Sequence, residues 1–203
     1  MSRSGLPPRC TRCGSLERHR AIRQAIDSFR APDEPFSGLK LIRFSDDPIV
    51  DDSWFKTSEV SRFEGDNSLD IQAIDRPDQS YDVVLCSHVI EHVADDRKAI
   101  RELTRILSPR GFLLLAFPRS EEGELTQDWG FADPCKNRHY RGYGRDFDAV
   151  LAGAAGDAAT IAIEADDPVT GDSKKFAIIT RSAEWVERVL KSVAGARLVS
   201  GRL

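Results

Sequence analysis

His88-Val89-Ile90-Glu91-His92 sets two imidazoles and a carboxylate within one short stretch, a combination able to hold a divalent ion or to move a proton. Written as His-x-x-Glu-His it is the inverted zinc-peptidase signature, with both histidines on zinc and Glu91 as base; that chemistry requires one helix across all five residues. A plainer reading has His88 and His92 packing and hydrogen-bonding while Glu91 caps the helix that follows. Cys10-Thr11-Arg12-Cys13 offers two of the four ligands that structural zinc takes. Cys135 and His139 would complete the set, with His19 as another candidate; the alternative is a pair of reduced thiols in a tight turn ending at Gly14. A redox CxxC is disfavoured because no thioredoxin-like strand precedes it. Arg138, Arg141 and Arg145, around Tyr140 and Tyr143, form either a clamp for an anion or a charged loop surface.

The flanking pattern says what positions these groups. Val83, Val84 and Leu85 form an apolar run suited to a strand covered on both faces, as does 112–117. Between them Ala99, Ile100, Leu103, Ile106 and Leu107 recur at helical spacing, and Pro109 with Gly111 stops the helix. A strand-helix-strand unit implies parallel strands joined by a right-handed crossover. Ligands of such sheets bind beyond the carboxyl ends of the strands, so residues 86–92 should line a site. Upstream, Leu16, Ile22, Ala25, Ile26 and Phe29 predict a helix ending near Ala31-Pro32, followed by strands over 39–44 and 55–60. Downstream, the polar stretch from Pro118 to Tyr143 lacks periodicity and predicts a lid or substrate loop. Phe147, Val150 and Leu151 predict a helix, 159–165 and 175–180 a pair of strands, and 184–193 a terminal helix.

The chain has 203 residues, 40% hydrophobic and 31% charged, with a net charge of -4, as expected of one α/β unit with a real core. That balance argues against nucleic acid as a partner, although Arg9, Arg12, Arg18, His19, Arg20 and Arg23 make the first segment locally basic. No apolar run reaches the roughly 18 residues of a spanning helix, so a membrane location is not expected and the cytoplasm is the expected compartment. Four cysteines, two of them close in sequence, fit a reducing environment better than a disulfide framework.

The segment YDVVLCSHVIEHVADDRKAIRELTRILSPRGFLLLAFP, residues 81–118, resembles the core of the class I S-adenosylmethionine-dependent methyltransferases. CTRCGSLERHR near the start and HYRGYGRDF at 139–147 resemble segments of a subgroup of small bacterial methyltransferase-domain proteins. The resemblance implies a Rossmann-like, seven-stranded, mostly parallel sheet closed by a C-terminal antiparallel hairpin, here 159–165 with 175–180. It divides the chain into an N-terminal CxxC segment and helix, 1–36, and a methyltransferase domain, 37–203, forming one compact unit. S-adenosyl-L-methionine is the implied cofactor.

Family members carry a glycine-rich turn after the first strand, where missing side chains allow close approach of the cofactor. Here the turn is Phe44-Ser45-Asp46-Asp47-Pro48, without glycine. Its acids either face the cofactor's ammonium or form a polar loop. The resemblance places Glu59 on the ribose hydroxyls, Asp70 and Ile71 near the adenine, and Cys86, Ser87 and His88 beneath the cofactor; Cys86 reads as a small packed side chain rather than a nucleophile. Some relatives hold a divalent ion with two carboxylates and a histidine at the spacing of His88, Glu91 and His92. His88 in place of the first carboxylate shifts preference from magnesium toward zinc or manganese. His139 is the first candidate for the base and His88 the second. The implied activity is methyl transfer to a small molecule, a sugar or glycan hydroxyl being favoured over an amine. Its rivals are a non-catalytic relative that kept the fold after losing the glycine turn and, less favoured, a nucleic-acid-modifying enzyme.

Overall fold

The computed structural model describes residues 9–30, 36–119, 123 and 125–201. Helix α1 (Glu17–Phe29) precedes strands β1 (Lys40–Arg43), β2 (Thr57–Val60) and β3 (Tyr81–Ser87). Helix α2 (Asp96–Arg105) then leads to β4 (Leu107–Ala116), and a hairpin of β5 (Gln127–Asp133) and β6 (His139–Gly142) follows. Helix α3 (Phe147–Ala155), strands β7 (Ala159–Asp166) and β8 (Ser173–Thr180), helix α4 (Ala183–Ser192) and strand β9 (Ala196–Ser200) complete the chain. The main sheet has seven strands in the order β2-β1-β3-β4-β8-β7-β9. Its first four strands are parallel, and β8, β7 and β9 each run antiparallel to the neighbour before them.

Two core layers explain the continuous apolar runs. Alternation along β3 sends Val83 and Leu85 to one face and Val84 and Cys86 to the other. The first face is covered by Ile22, Ile26 and Phe29 of α1 with Trp185 and Val189 of α4, the second by Ile100 and Leu103 of α2 with Phe147 and Leu151 of α3. Strands covered on both sides cannot alternate apolar with polar, which is why those runs read so plainly.

The chain leaves β1 for β2 on one side and returns as β3 on the other, so the order reverses between β1 and β3. A crevice at the carboxyl ends of those two strands is where a sheet of this kind takes its ligand.

Helix α2 ends at Arg105, so Ile106 caps it and Leu107, expected in the helix, opens β4; Pro109 and Gly111 lie inside β4 and not at the helix end. Pairing slips between Tyr81↔Leu107 and Val83↔Phe112, and the surplus residues form an irregularity at which the chains press together. A Cβ on Gly111 would stand 2.2 Å from the Asp82 carbonyl oxygen. Gly111→Ala is therefore expected to cost roughly 1–3 kcal/mol by forcing the two strands apart, read as a lower urea midpoint at unchanged slope.

Strand β9 has no counterpart in the sequence reading. It is an edge strand on β7 with mostly half-buried residues, so neither a buried run nor clean alternation marks it. The stretch predicted as a lid contains the β5-β6 hairpin, whose pairing shifts between Asp128 and Asp133; that irregularity hides the period of two.

Candidate active site

Phe44 continues β1 by donating its N–H to the Leu85 carbonyl (2.9 Å), and its ring is buried in the core. The next residues turn over the β1-β3 crevice. Ser87 Oγ donates to Asp47 Oδ2 at 2.7 Å, joining the ends of both strands. His19 and Arg18 reach the same carboxylate from α1, at 3.0 Å and 3.5 Å from Oδ1. The His19 ring is oriented by its Nδ1, which accepts the Leu16 N–H at 3.1 Å and leaves Nε2 toward Asp47. Asp46 faces solvent and pairs with Arg62. Ser45 Oγ, in the same turn, is buried without a hydrogen-bond partner among the described residues.

Burial works to raise the Asp47 pKa, yet the close approach of His19, the Ser87 hydrogen bond and the charge of Arg18 outweigh it and hold the carboxyl at about 2. A carboxyl depressed on folding stabilises above its ordinary range and loses that contribution as pH falls through the folded value. Asp47 should thus supply roughly 2 kcal/mol at neutral pH that fades between about pH 4 and pH 2. Asp47→Asn should flatten that part of the profile, as measured by urea unfolding across the acid range.

Glu59 lies on β2 beside Ile42, but both its oxygens are engaged. Arg76 and Asn67 donate to Oε1, and the Tyr81 hydroxyl donates to Oε2. Its pKa is lowered, the Arg76, Tyr81 and Asn67 bonds overcoming the opposing effect of burial. The ribose role expected of Glu59 would require breaking this network. Asp70 is exposed and accepts the backbone N–H of Gln72, while Ile71 is buried in the core. Sequence reasoning missed Arg76 and placed Arg18 and His19 only in a basic segment, with His19 as a zinc candidate, because nothing in the spacing reveals that α1 reaches Asp47 or that Arg76 folds back on β2.

Beyond β3 the backbone turns sharply. His88 has φ of 54°, and its N–H is bound to the Ala116 carbonyl. Only a short 3-10 turn, Ile90–His92, follows. Residues 88–92 therefore do not form one helix, and the inverted zinc-peptidase arrangement is ruled out. Nor does Glu91 cap α2, because that duty belongs to Asp95, which accepts the Lys98 N–H at 2.8 Å. Glu91 is instead 1% exposed, with Oε1 3.2 Å from His88 Nδ1 and Oε2 buried without a hydrogen-bond partner.

Strand β6 carries His139 to this carboxylate. The His139 and His92 rings meet edge to face at 4.7 Å, and ligand atoms of Glu91, His92 and His139 all lie within 4.8 Å of one another. Burial lowers the pKa of His139, with Glu91 opposing and His92 and His88 adding to the decrease. The hairpin is fixed by neighbours of His139. Arg141 donates to the carbonyls of Val93 and Ala94, and the Tyr143 hydroxyl donates to that of Ile90. Arg141 is 4% exposed and Tyr143 fully buried, so neither belongs to a substrate clamp. Arg138 and Arg145 remain at the surface. A cavity of about 400 Å³ opens beside His88, bounded by the start of α1, Phe117, Pro118 and the paired ends of β7 and β8 at Glu164, Ser173 and Lys175.

The set Cys10, Cys13, Cys135 and His139 is not brought together, since His139 sits with Glu91 and His92 and no cysteine joins them among the described residues. His19 is not available to it either, being turned toward Asp47. Cys86 is wholly buried and burial pushes its thiol far up, as suits a packed side chain.

A family model described as "Methyltransferase domain" matches residues 21–156. The uncharacterized methyltransferase YcgJ of Bacillus subtilis (strain 168) is 39% identical over 53 residues, 26% of this chain and 21% of that protein, so the match spans about a fifth of the relative. Among solved structures, 1,6-didemethyltoxoflavin-N1-methyltransferase of Burkholderia thailandensis, with bound 1,6-didemethyltoxoflavin and S-adenosylhomocysteine, aligns at a TM-score of 0.52 and 12% identity. The alignment covers 79% of this chain and 78% of that one. A putative methyltransferase of Bacillus halodurans C-125 aligns at 0.50 and 12% identity, over 78% and 95% of the two chains. At such identities the likeness is one of fold. No helix among the described residues is long and apolar enough to cross a membrane.

Proposed function

The chain belongs to the class I S-adenosylmethionine-dependent methyltransferase family, and from that premise we propose that it methylates a small molecule, a hydroxyl of sugar or glycan type being favoured over an amine. The observation carrying this reading is the convergence of Asp47, Ser87 and His88 at the reversal point of the sheet, with Glu91 and His139 on the adjoining loop and hairpin. S-adenosylmethionine bound there would supply an electrophilic methyl group. The turn would present its ammonium with the ionised carboxylate of Asp47, from whose Oδ1 it must displace Arg18 or His19, and Ser45 Oγ has no partner among the described residues. His139 is held largely neutral at pH 7 and can accept the proton a hydroxyl loses; His88 is the alternative base.

Glu91, His92 and His139 also fit a divalent ion, since the unpartnered, buried Oε2 of Glu91 lies on a residue flanked by two imidazoles. One oxygen and two nitrogen donors favour zinc or manganese over magnesium, and such an ion would lower the pKa of a bound hydroxyl; with His139 as its ligand, proton acceptance would pass to His88. Elemental analysis of the purified protein, with and without Glu91→Gln, reads this occupancy directly.

A second reading, a non-catalytic relative, is favoured by the engaged oxygens of Glu59 and the glycine-free turn. Calorimetric titration with S-adenosylmethionine and S-adenosylhomocysteine separates the two. Micromolar binding, weakened at least about tenfold in Asp47→Asn, supports the enzyme; folded wild-type protein that binds neither compound sinks it.

A further inference from the structure

Cys10 and Cys13 lie outside the crevice, and no part of the proposed chemistry uses them. Both thiols are free, Cys13 at the surface and Cys10 half-buried, so neither sulfur serves the core. Their loop closes tightly, with Gly14 N–H bonded to the Cys10 carbonyl and Cys10 N–H to that of Ser15, each at 2.8 Å. Gly14 takes φ of 71°, a left-handed conformation that the tight turn after Cys13 requires. The loop is also fixed to the body of the protein: Arg20 donates to the Ser15 carbonyl and, through its other nitrogens, to the buried carboxylate of Asp167.

The Cys13 thiol lies at the surface and donates a hydrogen bond to Ser15 Oγ at 3.2 Å. A thiolate is the form that binds metal. Two thiolates are half of what zinc requires, and among the described residues no third ligand lies within reach of this pair.

We propose that the Cys10-Cys13 loop is half of a tetrahedral zinc site, completed by the same loop of a second copy of the chain. The contact is isologous, because each molecule offers the same two sulfurs about a two-fold axis. Each sulfur releases its proton to solvent as its bond to zinc forms, and four thiolates around a divalent ion leave a net charge of about -2. Arg9, Arg12 and Arg20 border the loop and offset that charge; without the ion, the same arginines would set two copies against each other.

Cobalt(II) is the spectroscopic probe. The reduced full-length chain, titrated with cobalt, should develop thiolate-to-metal absorption that saturates at one ion per two chains, while light scattering reports twice the monomer mass. Chelator should reverse both. Cys10→Ser and Cys13→Ser should each lose the absorption and the mass doubling, and Cys135→Ser should keep them. Ions held by Glu91, His92 and His139 give no thiolate band, so that cluster does not confuse the readout. Absence of the band overturns the proposal, as does a band that saturates at one ion per chain with monomer mass.

Discussion

Replacing Arg20 with methionine is expected to remove about 3–5 kcal/mol of folding stability. Arg20 grips Asp167 with two parallel hydrogen bonds, Nε to Oδ1 at 2.7 Å and an NH to Oδ2 at 2.6 Å, and the Asp167 side chain is wholly buried. Thr170 adds its N–H and hydroxyl to the same carboxylate. Methionine fills much of the volume but leaves the carboxylate without its cation, and an uncompensated buried charge accounts for most of the cost. Asp167 is held at about 2, first by the Arg20 bonds against burial and then by Thr170. Its contribution is therefore complete above about pH 4 and is lost as pH falls toward 2. Urea unfolding at pH 7 and across the acid range should show the loss and a flattened acid limb together. Adding Asp167→Asn to Arg20→Met should recover part of the deficit, since no charge is then stranded. A loss under about 1 kcal/mol, the range of an exposed pair, would show that water reaches this carboxylate.

The residues that could be read from sequence share a physical cause. Strands β3 and β4 and helix α2 are covered by their neighbours, so their apolar spacing survives as a pattern, and the ionisable loop between them had to fall at a strand end. The cluster beyond that loop was only half legible. Glu91 and His92 are local, but the ligand that joins them is His139, through a hairpin nearly fifty positions downstream, where His88 was expected with them and the cysteines with His139. What seats the hairpin is Arg141 on two backbone carbonyls, and a buried arginine cannot be told from a solvated one by composition. The crevice shows the converse. Asp47 was visible as part of an acidic turn, whereas its partners His19 and Arg18 lie on a helix whose sequence looks like a basic, solvated face.

Removing the His139 imidazole is expected to lower turnover by about 10²–10⁴-fold while leaving cofactor titration unchanged. The distinction rests on where β6 is anchored. Arg141 and Tyr143 hold the hairpin against the backbone of Val93, Ala94 and Ile90, and neither depends on His139. The imidazole is only half-buried and its ring contact is with the exposed His92, so His139→Ala should change folding stability by less than about 1 kcal/mol. On the proposed reading cofactor affinity depends on the β1-β3 end of the sheet, where Asp47 meets Ser87, and not on the His139 ring. Turnover would be followed as S-adenosylhomocysteine release with the best acceptor from a panel of small hydroxyl compounds and amines. A variant that loses turnover but binds S-adenosylmethionine with wild-type affinity places His139 on the acceptor side of the reaction. Wild-type turnover in His139→Ala would remove it from the chemistry and pass proton acceptance to His88, whose ring already faces Glu91 at 3.2 Å. Loss of cofactor binding in the same variant would mean instead that the hairpin closes over the crevice, making β6 part of the cofactor site.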